Sequence, residues 1–291
     1  MGNTNRAGLM YALAAAVGLG AITTQAKLVY EDGGNAPTLM FWRFLVSVLV
    51  IGLILLIKRQ ALTPSRHLFG PALLLGVVWS GAMIAYLMSV QFISVSVAVL
   101  ILYSYPMIVL LVSILTGKLN ASFGTISLFI AAFIGIALML MNGEIHLSIY
   151  GLGFAVAAAL GAAYTFLAGS RVAPKLNPNT LTLWVNLAGL LLIIPLVATQ
   201  FQLPDTWQGI AALSGATACY VVAILCQFQA LSQISAARAS FIFNVEPVVS
   251  IVLALLVLNE TLSAVQWLGV IVVLAVLFIF TKVLPSDHSD E

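Results

Sequence analysis

Two side chains could carry charge chemistry inside an otherwise apolar chain: Glu246 and Arg43. Glu246 stands directly before Pro247 in the stretch ISAARASFIFNVEP (Ile234 to Pro247), and the apolar run continues to Leu258. At about 1.5 Å per residue, a helix from Ala237 to Leu258 crosses a hydrocarbon core of about 30 Å with the carboxylate near its centre. An acid at that depth must face protein or water, where it can hold a proton or pair with a cation. Pro247 has no amide for the carbonyl of Phe243, so a free acceptor is expected beside the acid, with Asn244 on the same turn. Arg43, in FWRF, lies six residues into the second apolar run, about 9 Å from its end. Three readings stay open for it: snorkelling to the headgroups, pairing with Glu246, or pairing with a ligand carboxylate. Contact between a midplane acid and an arginine in the outer third needs two extended side chains or a bridging water. That favours a neutral or ligand-linked Glu246 over a permanent ion pair.

Aromatic and amide side chains are spread through the other apolar runs: Trp79, Tyr86, Tyr103, Tyr105, Tyr164, Tyr220 and Gln227. A buried tyrosine in lipid needs a hydrogen-bond partner, so tyrosines at midspan indicate a polar cavity, although each alone could be packing. Trp79 and Tyr86 are seven residues apart and face one way, as do Tyr220 and Gln227. Trp207, Trp267 and Tyr150 fall near predicted ends and read as interfacial belt residues. Every aspartate and all three histidines lie in loops or the tail, which excludes an intramembrane aspartyl protease, a serine–histidine dyad and a metal cluster at membrane depth. No GxxxxGK[ST] motif or potassium-type filter occurs. No catalytic residue, metal or cofactor is therefore expected. Cys219 and Cys226, seven residues apart on one helix, are too far apart to form a disulfide.

Of 291 residues, 62% are apolar and 7% charged, against about a quarter charged in a soluble domain, so the chain is an integral membrane protein. The net charge of +2 points to no nucleic-acid partner. Apolar runs at 7–29, 37–57, 71–91, 94–116, 123–142, 150–169, 180–199, 208–230, 237–258 and 263–282 predict ten transmembrane helices in an all-α fold. Arg6, Lys58, Arg59, Arg66, Lys118, Arg171, Lys175, Arg238 and Lys282 then share one face, so both termini are expected in the cytoplasm.

The sequence repeats itself. Ile93 to Pro106 (ISVSVAVLILYSYP) matches Ile234 to Pro247 at five of fourteen positions, and Gly8 to Gly18 (GLMYALAAAVG) matches Gly151 to Gly161 (GLGFAVAAALG) at seven of eleven. Five spans per copy invert the second copy in the membrane, with repeats at 1–146 and 147–285 and a tail at 286–291. Pro106 and Pro247 are then equivalent midplane steps, the candidate hinges, and Asn186 is the counterpart of Arg43. Inverted repeats of this kind are a transporter plan, with the site at the repeat interface. The cavity is expected between the first, third and fourth spans of each copy. Small residues every fourth position, Ala12, Ala16 and Gly20, then Ala155, Ala159 and Ala163, read as scaffold helices packed against the rest of their own repeat.

Ten spans in two inverted repeats, Arg43 early in the second span, and Glu246–Pro247 followed by Leu258, Asn259 and Glu260 resemble the EamA-type branch of the drug/metabolite transporter superfamily over the whole chain. Where the family carries a glycine–glutamate pair after the fourth span, this chain has Gly117 and Lys118. The resemblance implies a basket-like bundle in the bacterial inner membrane that exports small metabolites, often amino acids, and is most similar to exporters of aromatic amino acids. The expected partners are a small-molecule substrate and the lipid bilayer, with the chain a monomer or weak dimer. Export of other metabolites or drugs, a passive channel and a membrane-embedded enzyme remain as alternatives.

Overall fold

The computed structural model describes residues 3–119, 122–141, 147–258 and 262–283, and side chains between Arg6 and Phe280. Asn259, Glu260, His146, the Lys282 side chain and the tail at 286–291 lie outside the described residues. Twelve α-helices follow in order: α1 (Asn3–Glu31), α2 (Ala36–Ile57), α3 (Arg66–Ser89), α4 (Val95–Leu102), α5 (Tyr105–Leu115), α6 (Phe123–Met139), α7 (Ile149–Val172), α8 (Pro178–Gln200), α9 (Trp207–Leu231), α10 (Ala236–Ile242), α11 (Val245–Val257) and α12 (Ala264–Val283). Eight stretches are long and apolar enough to cross a membrane, counting α4–α5 and α10–α11 as one each. Two further apolar helices are shorter, Phe123–Met139 and Ala264–Phe280.

Local chemistry explains the helix ends. Asn35, Ser122, Asn177 and Thr206 each accept a backbone N–H of the first turn they precede, and Pro37 and Pro178 sit where no amide is needed. Helix α3 starts five residues earlier than the sequence suggested, because Pro71 falls near the helix start, where water can take the carbonyl freed on exposed His67. Helix α5 ends in a turn closed by Gly117 at φ 68°, with the Lys118 amide bonded back to the Ser113 carbonyl at 2.9 Å. Burial and the neighbouring Arg171 and Lys175 cations pull Lys118 below the ordinary lysine range, placing these three charges in one patch.

The small-residue helices pack differently from the sequence expectation. Ala12, Ala16, Ala155, Ala159 and Ala163 are buried as expected. Helix α1, however, packs chiefly on α9 and α11 of the second half, and α7 chiefly on α3, α4 and α5 of the first. The close approaches show why: a side chain on Gly18 would meet Ala223 of α9, and one on Gly161 would meet Ala82 of α3. The small residues join the two halves of the chain rather than consolidating each half.

Loop contacts reinforce this exchange. Beyond α1, the Asp32 carboxylate accepts the Thr206 amide and hydroxyl at 2.8 and 2.9 Å, and Gln202 donates its amide to the Thr38 hydroxyl at 2.9 Å. At the α2–α3 turn, the Thr180 hydroxyl donates to the Ala61 carbonyl at 2.6 Å and the Trp184 indole to that of Leu62 at 2.8 Å.

Candidate functional site

The two expected midspan interruptions are present. Between α4 and α5 the chain turns at Tyr103 and Ser104, and between α10 and α11 at Phe243 and Asn244. Pro106 is the second residue of α5 and Pro247 the third of α11, so both open a new helix rather than kink a continuous one. At those positions a missing amide costs little. The free acceptor expected at Phe243 is also filled: the Glu246 amide donates to its carbonyl at 2.9 Å.

Glu246 lies in the first turn of α11, half-buried. The Tyr103 hydroxyl hydrogen-bonds its carboxyl group, and Tyr105 and Tyr86 lie within its electrostatic reach. Tyr103 and Tyr105 are buried, with ring centroids 6.4 Å apart. Gly20 of α1 backs onto this turn so closely that an added Cβ would stand 2.5 Å from the Glu246 carbonyl oxygen. Asn244 is 2% exposed, tucked under the break.

Arg43 forms no ion pair with Glu246. Its guanidinium turns into the bundle, with its carbon 4.9 Å from the centroid of the Tyr220 ring, and Tyr30 flanks it. This inward pose replaces the snorkelling reading, and cation–π contact contributes about 0.5–2 kcal/mol. Trp79 of α3 is buried, and its indole N–H points toward the Tyr220 hydroxyl without reaching hydrogen-bond geometry. The second span thus contributes to the polar interior, which the sequence had assigned to the first, third and fourth spans of each copy.

Other candidates fall elsewhere. Asn186 is fully buried and donates to the Thr182 carbonyl at 2.8 Å, a local helix contact. Gln227 is fully buried with neither amide atom partnered by protein. Tyr164 is placed apart from the cluster: it is 37% exposed and continues an outer stripe of α7 with Val156 and Leu160. Helical periodicity puts it on the face away from the buried Ala162, Ala163 and Phe166, a distinction its residue type could not signal.

The two sides of the breaks are packed unequally. Gly8 of α1 abuts Ile234, and Gly151 of α7 abuts Ile93, so α10 begins on the face of the N-terminus and α4 on the opposite face. On the N-terminal face, α5 and α10 pack together. An aromatic floor lies at the breaks, Tyr105 on Phe166 at 5.1 Å and Phe166 on Phe243 at 4.9 Å, with Phe129, Phe241 and Phe280 clustered nearby. Toward the opposite face α4, α6, α11 and α12 line a crevice of about 130 Å³ that includes Ser96, Met139, Ile251, Ala254 and Gln266. Thr23 of α1 and Ser250 of α11 touch through their hydroxyls on the same side of the break.

The sequence did not single out Tyr30 or Phe166, and it pointed to Phe243 only for its carbonyl. Phe243 carried a signal, since it directly precedes Asn244 and Glu246. Phe166 stood in an alanine-rich helix read only as scaffold, and Tyr30 stood at a helix end.

A helical membrane protein with two interrupted helices meeting at a half-buried acid is a polytopic transporter-type architecture. The sequence pattern of the EamA-like transporter family matches residues 6–141 and again residues 149–282, and the chain belongs to that family. Family members are membrane transporters rather than enzymes, so a small-molecule substrate and a lipid environment follow for this chain. A solved structure described only as the crystal structure of a protein aligns with 92% of this chain and 96% of its own, at TM-score 0.76 and 16% identity, a likeness of fold. No curated protein matches the chain.

Proposed function

We propose that this chain is a secondary transporter that exports amino acids or similar small metabolites by alternating access. It has ten spans, with α6 and α12 crossing alongside the eight longer ones, in two inverted repeats at residues 1–146 and 147–285. Both termini and the 286–291 tail lie in the cytoplasm of a bacterium, at its inner membrane, where the Lys118, Arg171 and Lys175 patch would face inward. The chain acts as a monomer or weak dimer. The carrying observation is the pair of breaks around Glu246, packed with aromatic rings on one side and bordered by the small crevice on the other. In this reading the structure is the outward-open state, and the turns before Pro106 and Pro247 are the hinges. Glu246, Tyr103, Tyr105, Tyr86 and Asn244 form the cavity on one side of the pathway, with Arg43, Trp79, Tyr220, Gln227 and Asn186 on the other. Aromatic amino acids, which the sequence resemblance implies as cargo, are the first substrates to test.

Proteoliposomes preloaded with unlabelled amino acid and exposed to the labelled form should show counterflow that saturates with external concentration. Absence of flux across a panel of all common amino acids, from protein shown to be folded, overturns amino-acid export. Flux that rises linearly without saturation, or single-channel conductance, replaces the carrier by a channel.

A further inference from the structure

Beside Arg43, four elements bring hydrogen-bond donors together and, among the described residues, no acid pairs with it. Arg43 comes from α2, Trp79 from α3, Tyr220 from α9, and Tyr30 from the end of α1. Trp79 is 7% exposed and Tyr220 2%, and apart from the approach of the indole to the Tyr220 hydroxyl, short of hydrogen-bond geometry, neither group meets a protein partner. The Arg43 Nε is likewise sealed from solvent and bonded to nothing in the protein. Phe44 packs edge-on against the Tyr220 ring at 6.0 Å. Buried polar groups in native proteins are almost always partnered, and two unpartnered donors beside a cation whose own Nε is unpartnered are a strong exception.

We propose that Arg43, Trp79 and Tyr220 form a subsite for the carboxylate of the transported molecule. A carboxylate is the complement these groups define: it is planar, carries one charge against one cation, and offers two oxygens with lone pairs for the guanidinium fork, the indole N–H and the phenol O–H. A phosphate would bring a second negative charge with no second cation to meet it. Because Glu246 forms no ion pair with Arg43, the guanidinium is available to a ligand. This assignment rests on the transporter reading above and narrows its substrate to molecules bearing a free carboxylate.

The test is binding by the purified full-length protein, which needs no transport. L-phenylalanine and phenylacetate are the carboxylate probes, phenylacetamide the neutral amide control, and phenyl phosphate the dianionic one, each titrated calorimetrically. The carboxylates should bind and the amide and phosphate should bind at least about tenfold more weakly, since charge-assisted bidentate bonds are lost or mismatched. Arg43→Gln should abolish carboxylate binding, and Arg43→Lys should recover part of it, keeping charge but not the fork. Tyr220→Phe removes one oxygen from an otherwise unchanged ring and serves if the arginine variants do not fold; it should weaken the carboxylates several-fold while leaving the amide unaffected. Carboxylates that bind Arg43→Gln or Tyr220→Phe as tightly as the natural protein overturn the subsite. So does binding of the amide or phosphate as tight as that of the acids, or no binding of either acid. The transport reading is judged separately by flux: carboxylate binding at Arg43 with no flux leaves the subsite standing and removes the transporter, and flux with an unchanged KM in Tyr220→Phe does the reverse.

Discussion

Glu246→Gln is expected to fold and to lose transport. The amide keeps the shape of the side chain and can still accept the Tyr103 hydroxyl, so thermal unfolding should shift little. What changes is charge, because Gln cannot exchange a proton or attract a cationic group. A hydrogen bond to a charged group is worth about 1.5–3 kcal/mol, so the transport rate or KM should worsen about 10- to 100-fold. The pH profile should flatten as well, since Glu246 is the acid placed at the helix breaks. Wild-type rate and pH dependence in a folded Glu246→Gln protein would make the residue structural and remove it from the mechanism.

The aromatic floor should decide which face is closed. Phe166 and Phe243 are 2% exposed, and Phe166 bridges Tyr105 and Phe243, so one ring joins α5, α7 and the end of α10. Truncating a buried phenylalanine costs about 3–5 kcal/mol, and here the loss falls on the state in which these rings meet. Phe166→Ala should therefore expose the turn at Asn244. In a background without Cys219 and Cys226, Asn244→Cys should react slowly with a water-soluble thiol reagent. Adding Phe166→Ala should speed that reaction at least about tenfold, the factor given by only 1.4 kcal/mol. An unchanged rate, with controls at helix ends reacting normally, means that the rings do not gate the site.

Much of this arrangement was legible in the sequence. Apolar runs of about twenty residues in a chain with 7% charge fold in lipid as spanning helices, and the Glu246–Pro247 step announced a break because an acid and a missing amide are both costly inside an apolar helix. The repeated motif placed the matching break before Pro106 for the same reason. Other features depended on packing, which periodicity does not encode. Nothing in Ala12, Ala16 and Gly20 says which helix they will meet, and the structure has them meet the other half of the chain. Tyr164 and Tyr220 are both midhelix tyrosines, yet one is exposed and the other buried under Arg43, because helix rotation is set by neighbours distant in sequence. The inward pose of Arg43 likewise needs the Tyr220 ring, which lies 177 positions further along the chain.

The central claim is that the two sides of the breaks open in alternation. Spin-label pairs at Ser96 and Ala254, across the crevice, and at Thr116 and Gln233, on the N-terminal face, report each side in proteoliposomes lacking Cys219 and Cys226. On addition of the amino acid that gives the strongest counterflow, the Ser96–Ala254 distance should shorten as the Thr116–Gln233 distance lengthens. Two distances that stay fixed while substrate crosses, or that lengthen together, would contradict alternating access.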